Sequence, residues 1–241
     1  MRNAALAAGA AGAAWALPAL APVVPGLADA LRIPTRCARA GAVALTFDDG
    51  PHPRGTPAVL DALAAGGVRA TFFLVAEQVA RGPALASEIV AAGHSVGFHG
   101  GRHRNLLRMP PRAVARDFDA GADELASVLG VAPALHRPPL GIYSWPALAA
   151  VRARGWTPVL WSRWGRDWTR RATAESVARR SAQGVRAGDV LLLHDADTYS
   201  APGCWKATVA ALPRVLEAIA AAGLHAAPLT GAADLIQPAG R

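Results

Sequence analysis

Cysteine is almost missing from this 241-residue chain: only Cys37 and Cys204 occur. Two cysteines cannot build a disulfide framework, and neither has a Cys or His partner nearby at metal-ligand spacing. They can pair with each other or stay free, and spacing does not decide between the two. Acidic side chains are also scarce, 17 Asp+Glu against 25 Lys+Arg, for a formal charge of +8. Such a balance fits a polyanionic neighbour: nucleic acid, teichoic acid or an anionic membrane surface. The excess is almost all Arg, scattered along the chain, with no basic run interleaved with aromatics. Nucleic acid is therefore set aside, and a solvated Arg-rich surface is expected. The chain also lacks an internal repeat of fixed period and, after residue 40, any low-complexity linker. That leaves one domain and an expected monomer.

Charge is absent altogether from Ala4 to Leu27, directly after Arg2. A stretch of that kind reads as a signal peptide or membrane anchor, with Ala28-Asp29-Ala30 as a cleavage site. Against this, Ala and Gly dominate it, Pro18 and Pro22 interrupt it, and Arg32, Arg36 and Arg39 follow it. Basic residues there favour retention on the cytoplasmic side. The expectation is a leader over residues 1–40 (signal peptide, membrane anchor or irregular N-terminal segment) and a globular domain over 41–241. The expected working place is extracytoplasmic or membrane-associated, with the cytoplasm as the alternative. A chain starting near Arg36 is then expected to fold.

What is present is apolar residue in quantity, 52% of the chain, enough for a sizeable core. Short apolar runs recur at Val43–Phe47, Thr71–Val75, Ser95–Phe98, Leu135–Arg137, Pro158–Trp161, Val190–Leu193 and His225–Leu229. Between them lie periodic Ala/Leu/Val stretches near 57–65, 83–92, 111–129, 145–154, 173–183 and 206–222. Gly66-Gly67, Gly93, Gly130, Gly155 and Gly223 stand where C-terminal helix stops belong. Continuous apolar strands between helices predict a parallel sheet covered on both faces. Each run is followed by polar, chemically capable residues: Asp48-Asp49, His99, Arg137, Asp167 and His194-Asp195. Groups delivered from so many strand ends point to the ring-shaped mouth of an α/β barrel rather than the single switch point of an open sheet.

Thr46-Phe47-Asp48-Asp49-Gly50-Pro51-His52 sets adjacent carboxylates where a strand meets a Gly-Pro turn. Neighbouring residues leaving a strand point different ways, so one carboxylate can ligate a metal while the other accepts a proton. An Asp-rich turn with no further role gives the same letters. His99-Gly100-Gly101-Arg102-His103 spaces two imidazoles i, i+4, which on a helical turn face one way and suit two ligands on one Zn²⁺. Two histidines and one carboxylate, here Asp49, leave a position open for water. Arg137-Pro138-Pro139-Leu140-Gly141 is a stiff turn, either a rigid loop with an exposed Arg or a guanidinium held against a carboxylate. Trp161 to Trp168 holds three tryptophans, which serve a core or stack on sugar faces. Leu191-Leu192-Leu193-His194-Asp195 brings a histidine to a strand end. His52, His94, His136 and His225 are read as structural, with His52 nearest the chemistry.

In order, these segments resemble the polysaccharide deacetylase family (NodB homology, carbohydrate esterase family 4) over about residues 42 to 230. Thr46-Phe-Asp-Asp-Gly-Pro51 looks like its first motif, His99-x-x-x-His103 its second and Arg137-Pro-Pro-x-Gly141 its third. Arg166-Asp-Trp168 is similar to the fourth and Leu192-x-His194 to the fifth. The resemblance implies an α/β fold, a distorted (β/α)7 barrel in a single domain. It implies a divalent metal, Zn²⁺ foremost and Co²⁺ or another ion in second place, on Asp49, His99 and His103. It further implies Asp48 as general base, Arg137 as its buttress, and His194 as general acid tuned by Asp167. Trp168 and Leu192 would line an acetyl pocket, and the Leu140 N–H would help hold the oxyanion. The chain departs from the pattern at Gly100, where Ser or Thr is usual, at Trp164, where an Asp often stands, and at Leu140, where an aromatic is common. The implied reaction is hydrolysis of the N-acetyl amide of amino-sugar units in a cell-envelope glycan, releasing acetate. The rival readings are an amidohydrolase for a small cyclic amide and a silent glycan-binding barrel. More distant is a basic membrane- or nucleic-acid-binding module.

Overall fold

The computed structural model describes residue 12 and residues 14–237. Eight parallel strands are described: β1 Ala42–Asp48, β2 Thr71–Leu74, β3 Ser95–Phe98, β4 Leu135–His136, β5 Thr157–Pro158, β6 Arg163–Trp164, β7 Val190–His194 and β8 His225–Ala227. Their order is β5-β4-β3-β2-β1-β7-β6, with β8 pairing β1 as well. The two partners of β1 divide it, since β8 pairs with residues 42–44 and β7 with residues 44–48. Seven helices of six residues or more connect the strands: α1 Gly55–Ala65, α2 Ala76–Arg81, α3 Pro83–Ala91, α4 Pro111–Leu129, α5 Trp145–Ala153, α6 Ala174–Ala182 and α7 Trp205–Ala221. The architecture is a distorted (β/α)7 barrel in one domain.

Side-chain alternation along the strands generates two cores. Val43, Leu45, Phe47, Phe72, Leu74, Leu191 and Leu193 face outward and pack with the helices. Ala42, Ala44, Phe73, Leu135, Val159 and Val190 fill the barrel interior, closed at its base by Cys37, Leu229 and Leu235. With both faces covered, β1 is buried at all seven positions, which is why its sequence carries no polar alternation below Thr46. The helix-stop glycines Gly67, Gly93, Gly130, Gly155 and Gly223 all have positive φ, the conformation that ends a helix cheaply only in glycine.

Two elements carry no sequence signal. The strand β6 is two residues long, and its Arg-Trp pair reads as loop; it forms because the backbones of Leu191 and Leu192 offer it a partner. The helix α2 spans six residues, too few for a helical period, and stops at Gly82 before Pro83. Of the fifth run, Pro158–Trp161, only Pro158 is strand, because β5 spans Thr157–Pro158.

Residues 14–40 are an irregular segment laid on the barrel, not a separate body. A one-turn helix, Leu27–Ala30, buries Ala28; Leu31 is nearly buried and Ile33 completely so. Leu160 N–H donates to the Pro34 carbonyl (2.9 Å), the Arg152 guanidinium donates to the Leu31 carbonyl, and Arg36 pairs with Asp189 (3.0 Å). A chain beginning at Arg36 would strip Ile33 from its seat, so a loss of stability is expected from that truncation. Ile33→Ala is expected to cost about 2–4 kcal/mol, read as a lower denaturant midpoint at unchanged slope. Among the described residues no helix is long and apolar enough to cross a membrane. Cys37 and Cys204 are both free and buried.

Candidate active site

Strand register alone brings several sequence-flagged residues together. Asp48 is the direct cross-strand partner of His194 on β7 and of Phe73 on β2, and Thr46 is that of Leu192. Residues paired in register on parallel strands point to the same face. Thr46, Asp48, Leu192 and His194 therefore share the interior face at the C-terminal end of the barrel. Asp49, one residue on, sits at φ 81°, a left-handed conformation that a non-glycine residue adopts at some cost and that turns its carboxylate away from the strand's alternation.

Asp49, His99 and His103 each offer one ligand atom, all within 4.8 Å of one another. Asp49 Oδ1 lies 3.3 Å from His99 Nε2 and 3.2 Å from His103 Nε2. It is buried with no hydrogen-bond partner. A carboxylate oxygen left orphaned between two imidazole nitrogens is costly unless something positive joins them. The His99 tautomer agrees: Nδ1 must donate to the Arg137 carbonyl (2.9 Å), which leaves the Nε2 lone pair facing Asp49. The donor set fits a divalent cation of the zinc type. The i, i+4 spacing does not act through a helical turn, however. Residues 99–104 form a loop in which Gly100 has φ 95°, so the usual Ser or Thr there gives way to a residue free to adopt that angle.

Among the described residues Arg137 is the largest side chain that is fully buried. Its Nη1 donates to Asp48 Oδ1 and to Thr46 Oγ1, both at 2.7 Å, and Nη2 donates to the Leu160 carbonyl (3.2 Å). The guanidinium lies 4.1 Å from the Phe73 ring centroid. Asp48 is thus fixed through one oxygen while the other points toward His99 Nε2, 3.9 Å away. In the turn that follows β6, Asp167 is fully buried and accepts three hydrogen bonds. They come from the His194 backbone N–H (2.7 Å), His194 Nδ1 (2.9 Å) and Thr208 Oγ1 (2.7 Å). Burial would lower His194, but the Asp167 carboxylate, with Asp49 and Asp48 farther off, overrides it and pushes the imidazole up to about 10. With Nδ1 committed to Asp167, Nε2 is the atom left to exchange a proton.

These groups line one cavity of about 200 Å³ whose wall includes Asp48, Asp49, His99, His103, Leu140, Trp168, Leu192 and His194. Every candidate named from sequence borders it except the two positioning residues, Arg137 and Asp167, which lie behind Asp48 and His194. Leu140 sits at the rim at φ 61° with its side chain exposed. Trp164 stands between Trp161 and Trp168, each 5.7 Å away by ring centroids, forming an aromatic wall. His52 is structural, since Nδ1 accepts from Gly55 N–H (2.9 Å) and Nε2 pairs with Asp197 (3.0 Å).

Three contacts escape the sequence reading. Thr208, inside α7, orients Asp167. The Tyr199 ring stacks on His103 at 4.3 Å and 10°, its hydroxyl donating to Glu77 (2.6 Å) and accepting from Gln78 (2.7 Å). Asp195 lies completely buried beside Gly50, and burial pushes its carboxyl up to about 7 against a hydrogen bond from Thr56. A Cβ at position 50 would fall inside the Asp195 carboxyl, so the motif's glycine is required by this close approach rather than by its own φ.

The polysaccharide deacetylase family model matches residues 35–159. A chitooligosaccharide deacetylase of Bradyrhizobium is 39% identical over 154 residues, 64% of this chain and 70% of the relative. A peptidoglycan-N-acetylglucosamine deacetylase of Bacillus cereus is 33% identical over 177 residues, 72% of this chain and 79% of the relative. The crystal structure of a peptidoglycan N-acetylglucosamine deacetylase bound to an N-oxidanyl-benzamide superposes with a TM-score of 0.75 at 28% identity, covering 81% of this chain and 89% of that one.

Proposed function

This chain belongs to the polysaccharide deacetylase family, and we propose that it hydrolyses the N-acetyl amide of amino-sugar units in a glycan, releasing acetate and a free amine. The observation that carries this reading is one cavity in which Asp49, with its Oδ1 unpartnered, meets His99 and His103 between Asp48, held by Arg137, and His194, held by Asp167. The relatives' substrates, chitooligosaccharide and peptidoglycan N-acetylglucosamine, support the same chemistry on an N-acetylated sugar.

An amide resists hydrolysis because water is a weak nucleophile and an amine a poor leaving group. A divalent ion, once bound by Asp49, His99 and His103, supplies acidified water and polarises the acetyl carbonyl. Asp48, steadied by Arg137, accepts the proton of the attacking water. His194 Nε2 gives a proton to the departing nitrogen, and Asp167 keeps the imidazolium stable until it does. The Leu140 backbone N–H at the rim donates to the developing oxyanion. Leu192 and Trp168 enclose the acetyl methyl, and the Trp161–Trp164–Trp168 wall offers a face to the sugar ring. A product bearing free amines suits work on the cell envelope, outside the cytoplasm or at the membrane.

The test is acetate release from a panel of N-acetylated glycans after chelation and after adding back Zn²⁺ or Co²⁺. Activity restored by a divalent ion supports the proposal; equal activity in chelated and reloaded protein overturns the metal role. Elemental analysis adds a readout free of turnover. His99→Ala is expected to hold under a tenth of the wild-type metal, since each ligand lost removes well over 1.4 kcal/mol of binding.

A further inference from the structure

Six of the eight exposed large apolar side chains among the described residues, Leu17, Leu20, Val23, Val24, Leu140 and Trp145, gather around the N-terminal segment and the cavity rim. Leu17 and Trp145 share one apolar groove with Trp15. Pro22 lies against Gly141, next to Leu140, which places the N-terminal segment beside the mouth of the cavity. Single exposed apolar residues are ordinary, but a cluster this dense marks a contact surface.

Its border identifies the partner. Trp15 Nε1 donates to the Leu107 carbonyl (3.3 Å), which sets the exposed Arg104 and Arg108 beside the groove. On the other side the Arg152 guanidinium donates to the Leu31 carbonyl, next to the exposed Arg32. Asp29 is the only acidic residue before Asp48, and the whole chain carries +8. We infer that this face docks on an anionic lipid bilayer, with Leu17, Leu20, Val23 and Val24 entering the acyl boundary and the arginines meeting the headgroups. Apolar side chains flanked by Trp and ringed by Arg are what an interfacial segment needs. The basic rim matches anionic headgroups, whereas an apolar patch alone would serve a protein partner equally well. The cavity then opens at the membrane surface, where sugars displayed on or near the bilayer reach it. That last consequence rests on the deacetylase reading, whereas docking does not.

Cosedimentation of the full-length protein with vesicles, without any sugar substrate, therefore tests docking alone. Binding is expected to phosphatidylcholine vesicles containing phosphatidylglycerol, and to weaken in high salt. Leu20→Glu/Val23→Glu should weaken it roughly tenfold or more while acetate release from a soluble substrate stays at the wild-type level. Arg104→Gln/Arg108→Gln should weaken it about fivefold per arginine without touching the apolar face. Three results would overturn the inference. They are no binding to the phosphatidylglycerol-containing vesicles, binding indifferent to Leu20→Glu/Val23→Glu, and a wild-type dimer in solution that those substitutions split, which would make the occupant a second copy of the chain.

Discussion

Asp48→Asn is expected to lower kcat by roughly 10²–10⁴-fold with little change in KM, the range removed with a general base. The amide has the size of the carboxylate but cannot take a proton from water. Metal content should stay at the wild-type level, because Asp49, His99 and His103 are untouched. A structural role for Asp48 makes a different prediction. Its Oδ1 is the anionic partner of the fully buried Arg137. Removing that charge destabilises the fold by up to about 3–5 kcal/mol and would reduce the folded fraction rather than the turnover of each folded molecule. Active-site titration by bound metal separates the two. Normal kcat per metal-loaded molecule in Asp48→Asn would remove Asp48 from the chemistry.

The second large effect is on the pH profile. A histidine whose pKa is raised keeps its proton to higher pH, so the activity it supports is present below that pKa and lost as pH rises through it. His194 is pushed up to about 10. A cation held by Asp49, His99 and His103 repels the imidazolium and brings the alkaline limb somewhat below that figure. In Asp167→Asn the burial of His194 acts without its main counterweight. The limb should then fall toward or below about 6.5, the ordinary histidine value, while the acidic limb stays nearly in place. Metal-bound water also titrates in this region, so the wild-type curve alone does not assign the limb. The variant does: an unmoved alkaline limb in a folded, metal-bearing Asp167→Asn protein would break the link between Asp167 and His194. Thr208 and the His194 backbone N–H still hold residue 167 in place, so a shift would report charge rather than misplacement.

Much of the barrel was legible in the chain because both of its cores follow from strand alternation and helical period, which are local. The runs at Thr71, Ser95 and Val190 lie within a residue of the observed strands, and the stretch 111–129 coincides with α4. The chemistry-bearing residues were legible for a related reason. A barrel delivers groups at strand ends, so Asp48, Asp49, His99 and His194 stand at predictable points in the hydrophobic pattern.

What the sequence could not determine is whatever depends on a partner far along the chain. The strand β6 exists because β7 lends it hydrogen bonds, and Thr208 matters because α7 passes behind Asp167. Tyr199 reaches His103 only after its loop folds back to Glu77 and Gln78. Gly50 looks like a turn residue until Asp195, 145 positions later, fills the space its side chain would need. The N-terminal segment shows the same division. Its lack of charge announces an apolar stretch, but composition is blind to direction. Only packing separates Ile33, seated against the barrel, from Leu20 and Val23, turned to solvent, because burial is set by the neighbours the fold supplies and not by the residue itself.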